Sequence, residues 1–236
     1  MRCFFLYRPQ QAVNQALTAG LATRPHGLTP ADLRSAYKLP SLSTSNQTVA
    51  VSIPLGLMMG RSRAVASFFN PLLMITYPVP KAALMPIIML WLGVGDIAKT
   101  LVIFLGVSLP VIYHSFEGAK GVEEKMLWSG AAMGLSAAQR MVRIVLPAAL
   151  PEILTGCRTG LVLALITMIT SEMIARQSGA GNILFNALDM GQYDTVFAMI
   201  IIVGAMGIGL DAAFENLRGR LVRWSEPRFD MPLSFS

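Results

Sequence analysis

Charge is scarce in this chain: only 14% of its 236 residues are charged, against 54% that are hydrophobic. With a mean hydropathy of +0.57, this balance excludes an ordinary soluble domain and points to an integral membrane protein. Cysteine is nearly absent. Cys3 and Cys157 lie far apart, and Cys157 falls in an apolar run, so neither a disulfide framework nor a metal site is expected. His26 and His114 form no ligand spacing, and no cofactor is indicated. There is no G-x-x-x-x-G-K-[ST], which excludes ATP binding by a P-loop and leaves the energy for any pumping to a partner. The net charge of +6 does not indicate nucleic acid, because the arginines are scattered between apolar runs without aromatic neighbours. They read better as basic loops facing the cytoplasm. In MRCFFLYRPQ, Arg8 and Pro9 cut the apolar run short, so no cleaved signal is expected.

What is present is a series of apolar stretches. Residues 1–47 are polar and mixed, with a short helix predicted over 30–37 from Thr29, Pro30 and Asp32, ending before Pro40. Thr48 to Gly60 is apolar but has only 13 residues, fewer than the ~20 of a spanning helix. A second stretch from Pro71 to Gly95 carries Pro78, Pro80, Pro86 and Lys81, which predicts a kinked or broken helix packed against protein. The third runs from Thr100 to Phe116, the fourth from Ile153 to Ala175 and the fifth from Val196 to Leu210. The fold expected is all-α and polytopic, with about five transmembrane segments, the first one short. Basic residues at 61–70, 119–147 and after 215 fall on one side, which is therefore cytoplasmic.

Between the third and fourth stretches lies GAAMGLSAAQRMVRIVLP, residues 130–147. Alanine and methionine favour a helix, and the small residues give it a narrow face. Arg140 and Arg143, three apart, are expected on one face, and Pro147 and Pro151 are expected to turn the chain before the fourth span. Such a helix suits docking in a partner's groove, and equally suits lying on anionic headgroups.

The spacing Gly134, Ile144, Leu146, Pro147 resembles the cytoplasmic signature of permease subunits of binding-protein-dependent ABC importers. IPLGLMMGRSR, ALMPIIMLWLGVG, LPAALPEILTGCR, SEMIARQSGAGNIL and LRGRLVRW also resemble that family, in order over about 53–224, and are most similar to its taurine, sulfonate and nitrate branch. The resemblance implies a multi-pass protein of the bacterial inner membrane that lines the path of a small anion. It implies no enzymatic activity and no catalytic residue. The implied partners are an ATP-binding subunit, a periplasmic or other extracytoplasmic substrate-binding protein and a second copy in a homodimer.

The loop would form the coupling helix at 130–146, with Gly130, Gly134, Arg140, Arg143, Ile144, Leu146 and Pro147 as the ATPase-coupling residues. Trp128 stands where the family signature begins with glutamate. Glu172, an acid in an apolar run, is a candidate for the translocation path, or for a solvated place at the outer interface. Family members normally have a first transmembrane helix and a complete second one before the IPLG word, whereas residues 27–51 resemble the start of a sedolisin-type peptidase domain. The organisation expected is an atypical segment at 1–47, the transmembrane domain at 48–224 and a cytoplasmic tail at 225–236. The alternative is a truncated or fused, non-functional permease.

Overall fold

The computed structural model describes residues 40–222, and all its elements are helical: α1 (Pro40–Arg61), α2 (Arg63–Thr76), a 3-10 turn (Lys81–Leu84), α3 (Met85–Leu92), α4 (Asp96–Lys120), α5 (Glu124–Ala132), α6 (Ala137–Arg140), a π turn (Met141–Val145), α7 (Leu146–Ala175), α8 (Ala180–Asp189) and α9 (Tyr193–Leu221). The helix expected over 30–37 and the tail from 225 lie outside the described residues.

Among the described residues, α4, the continuous stretch Ala137–Ala175 and α9 are each long and apolar enough to cross a membrane. The segment Arg63–Leu92 makes a fourth crossing if its two halves count as one, and these meet at 82°. This is the broken helix that the prolines predict, but α2 buries none of its residues, so the packing against protein expected with it is not found there. α2 stops at Thr76, and Pro78 and Pro80 cannot supply the amide donors that would continue it. Lys81 Nζ instead donates to the Tyr77 carbonyl at 2.7 Å. Pro86 lies in the first turn of α3, where no amide donor is needed.

α1 is the short first segment of the sequence reading, but it extends further back than Thr48. Its 22 residues give about 33 Å at ~1.5 Å per residue. The helix is thus long enough to cross, but its first turns are polar and it is not among the described helices that are both long and apolar enough to span, so its apolar part remains short as expected. Thr48, Ser52 and Gly56 are buried at four-residue intervals, and Gly60 continues the stripe. A Cβ on Gly56 would lie 2.5 Å from Ser115 Cβ and 2.6 Å from the Ile112 oxygen; on Gly60 it would lie 2.5 Å from Ala119 Cβ. The backbone of α1 thus rests directly on α4, the close approach by which membrane helices gain van der Waals contact in place of a hydrophobic drive.

α4 is the centre of the bundle, with α1 on one side and α7 on the other. Gly156 of α7 lies against His114, and Gly160 against Val107 and Val111. Ile103, Val107, Val111, Ala164 and Met168 bury the middle of this seam. Two contacts define the ends of the bundle. Arg61 donates to the Ala119 oxygen at 3.5 Å, while Gln177 Nε2 donates to the Val94 oxygen at 3.1 Å. The basic residues 61, 63 and 120 therefore share one end, and the loops at 93–95 and 176–179 share the other.

Candidate functional site

The loop 124–147 is a hairpin of two short helices, not the single helix expected. α5 buries Leu127 and Gly130. A Cβ on Gly130 would lie 2.5 Å from Ile144 Cδ1 and 3.4 Å from Arg140 Cγ, so glycine lets the two arms touch. α5 ends in a Schellman turn: Leu135 N–H donates to the Gly130 oxygen at 3.0 Å and Gly134 N–H to the Ala131 oxygen at 2.9 Å. Gly134 has φ +78°, a conformation that glycine adopts without steric cost. One residue further, Ser136 starts α6 with a capping box. Its Oγ accepts from Gln139 N–H at 3.3 Å, and Gln139 Oε1 accepts from Ser136 N–H at 2.9 Å.

Pro147 does not stop the helix or turn the chain, which corrects the expectation from its position. α6, the π turn and α7 run on as one helical stretch of 39 residues. Leu146 N–H reaches back five residues to the Met141 oxygen. Pro147, which has no N–H to place, follows this wider π turn directly at the start of α7.

The seven expected coupling residues divide by exposure. Gly130 is buried, while Ile144 and Leu146 pack on the cluster of Leu57, Ala119, Val122, Leu127, Val145, Ala149 and Ile153. They hold the hairpin to the ends of α1, α4 and α7 that carry Arg61 and Lys120. Gly134, Arg143 and Pro147 are exposed. Arg140 and Arg143 do not share an environment: Arg140 is half-buried against Gly130, with its Nε buried and unpaired. Between them the exposed surface gains Trp128, Met133 and Val142, at 64%, 72% and 62% exposure. The acidic position of the family signature is thus an exposed indole here, and the hairpin tip is apolar.

Glu172 is buried, at 3% exposure, rather than solvated. Its Oε2 accepts from the Gly181 amide at 3.0 Å, at the start of α8. Arg158 is held by Asp211 and Glu215 of α9. His114 Nδ1 lies 2.8 Å from Glu152 Oε1, across the α4–α7 seam. The Ser136–Gln139 capping box is written in the sequence as S-A-A-Q and was open to a local reading. The pairings of Arg158 and Glu172 have no local signal. Among the described residues, no group of His, Cys, Asp and Glu is placed to hold a metal ion.

Residues 52–223 match the family described as binding-protein-dependent transport system inner membrane component. The taurine transport system permease protein TauC of Escherichia coli is 33% identical over 224 residues, 93% of this chain and 80% of that one. That alignment extends into the first 47 residues, since positions 48–236 alone could not supply 93% of the chain. An ABC transporter permease of Methanocaldococcus jannaschii is 31% identical over 176 residues, 74% of this chain and 66% of that one, so the chain spans a little under two thirds of that relative. In fold, the chain is similar to a structure of the MetNI methionine ABC transporter, with a TM-score of 0.69 and 15% identity over 81% of this chain and 96% of that one. The chain belongs to the family of inner membrane components of binding-protein-dependent transport systems.

Proposed function

We propose that this chain is the permease subunit of an ABC importer in a bacterial inner membrane, and that two copies enclose the path of a small anion such as taurine or another sulfonate. ATP hydrolysis in a partner subunit drives transport, and an extracytoplasmic binding protein delivers the cargo. The single observation that carries this reading is the hairpin at 124–145. Its tip is exposed and apolar at Trp128, Met133 and Val142, while its base is built into the ends of three long helices through Val145, Leu127 and Ala119. A force applied at the tip has nowhere to go but into α1, α4 and α7, because a close-packed cluster transmits displacement.

In this reading Gly134 and Arg143 form the docking side, Gly130, Ile144, Leu146 and Pro147 keep the hairpin's shape, and Arg140 links the two. Glu172 acts at the opposite end by holding an outer elbow rather than by touching cargo. The transmembrane domain begins before Thr48, in keeping with α1 starting at Pro40 and with the reach of the TauC alignment.

Met133→Asp tests the docking. It places a charge on the tip without altering the turn, so the protein should fold while losing co-purification with the ATPase subunit. Retained co-purification would remove the hairpin from the interface. Growth on taurine as sole sulfur source in a permease-deficient host tests the cargo. If uptake of labelled taurine stays at background while the assembled complex hydrolyses ATP, the cargo assignment is wrong and the permease reading stands.

A further inference from the structure

Glu172 of α7 and Arg176, the residue just past its end, grip α8 at two points. The Glu172 carboxylate caps the first turn of α8 from outside it, accepting from Gly181 N–H at 3.0 Å. Arg176 stands at φ +50°, with its guanidinium 4.1 Å from the Phe185 ring centroid and 3.2 Å from Asp189 Oδ2. Both of those partners are further along α8.

The cap fits closely. A Cβ on Gly179, which sits at φ +105°, would fall on the Glu172 carboxylate, and one on Gly181 would fall on the Ile169 oxygen. The word SGAG at 178–181 therefore leaves room for one carboxylate and little else.

The same node extends to α4. Lys99 is buried there, at 3% exposure. Its nearest carboxylate on α4 itself is Asp96, at 4.0 Å. Gln177 binds the Val94 oxygen across to the α3–α4 loop, and Met85, Ile88, Ala98, Val102 and Ala175 bury the floor beneath. Three kinds of contact thus join α3, α4, α7 and α8 at their outer ends.

We propose that Glu172 is a positioning residue that locks these outer ends into one rigid block, so that the outer mouth opens by movement of the whole block and not by parting of α4 from α7. A path-lining acid would need access to water and cargo; Glu172 has neither, being sealed by glycine backbone. The proposal rests on the import reading only for its transport arm.

The first experiment is hydrogen exchange on the full chain in lipid nanodiscs. Glu172→Gln keeps an acceptor for Gly181 and should retain slow exchange at the start of α8. Glu172→Leu leaves a buried donor without a partner and should speed exchange there at least about tenfold. Wild-type exchange in Glu172→Leu would overturn the cap.

The second experiment leaves Glu172 intact. Val94→Cys and Gln177→Cys, in a chain without Cys3 and Cys157, are bridged by a short cleavable dithiol reagent. Efficient bridging with taurine uptake unchanged supports the block. Failure to bridge, or uptake that stops on bridging and returns on cleavage, shows that the two loops are not held together and overturns it. If the unbridged chain takes up no taurine, bridging is read against ATP hydrolysis of the assembled complex, which separates failure of the cargo assignment from failure of the block.

Discussion

Arg158 and Asp211, 53 positions apart, meet in a two-point ion pair: Nε to Oδ1 and Nη2 to Oδ2, both at 2.8 Å. Glu215 adds a third contact at 3.2 Å, so α9, whose outer residues Phe197, Ile201 and Ile208 are largely exposed, is tied to α7 through this fork. A planar guanidinium makes both bonds at once, and an ammonium cannot. Arg158→Lys should lower the melting midpoint in detergent. The exchange Arg158→Asp with Asp211→Arg should recover roughly half of the loss or more, the signature of coupled neighbours. Equal midpoints for Arg158→Lys and wild type would show that the fork adds nothing to stability.

Close approach of α1 to α4 predicts steep sensitivity to side-chain size. Gly56→Leu inserts a side chain where Ser115 and the Ile112 carbonyl already stand. The expected penalty is at least the roughly 1–3 kcal/mol of an overpacked core. It should appear as a lower melting temperature and poor recovery of folded protein. Gly209→Leu on α9, with no atom near its Cβ position, should be tolerated in the same assay.

At the hairpin tip, backbone conformation and docking can be separated. Gly134 has φ +78° and open space around it, so Gly134→Asn should be mild. Gly134→Val should cost roughly 1–2 kcal/mol through its backbone alone. Ser136→Ala removes the cap of α6, worth about 1 kcal/mol, and should speed amide exchange over 136–140. Unchanged exchange there would deny the capping box a role in solution.

Topology is open to chemical labelling. With Cys3 and Cys157 replaced, Ser136→Cys should resist an impermeant thiol reagent in intact cells and react in inverted vesicles. A cysteine at Ser178, on the loop at the other end of the bundle, should behave in the opposite way. Labelling of position 136 from outside would reverse the assigned orientation.

Much of the helical frame was legible because its signals are local. The prolines at 78, 80 and 86 fixed the break in the second crossing, and the apolar runs located α4 to within four residues at each end, but α7 begins seven residues before its run and α9 ends eleven residues after its own. The loop was misread where two local signals competed. Its alanines favour one helix, but Gly134 followed by Ser136 and Gln139 ends one helix and starts another, and turn chemistry prevailed over propensity. Pro147 was misjudged for a different reason, since its effect depends on the hydrogen-bond register of the five residues before it. Nothing local could show that Glu172 finds Gly181 or that Arg158 finds Asp211. Those pairings depend on how the helices are oriented once packed, and a single sequence does not display that rotation.

The π turn at Met141–Val145 acts as a phase setter between two machines that face different ways. An α-helix advances ~100° per residue, and a π turn takes up one extra residue without breaking the rod. Beyond it, Glu152, Arg158 and Glu172 point towards three different anchors; before it, Gln139 and Arg140 belong to the hairpin tip. Deleting one residue, for instance Val142, would let the turn relax to an ordinary helix with every anchor on α7 still engaged, and because the five residues of the π turn rotate about as far as four of an α-helix, the tip would keep its azimuth. Such a protein should insert and fold normally and still present the tip correctly to whatever grips it, whereas one further residue added with the bulge already spent would swing the tip by about a quarter turn.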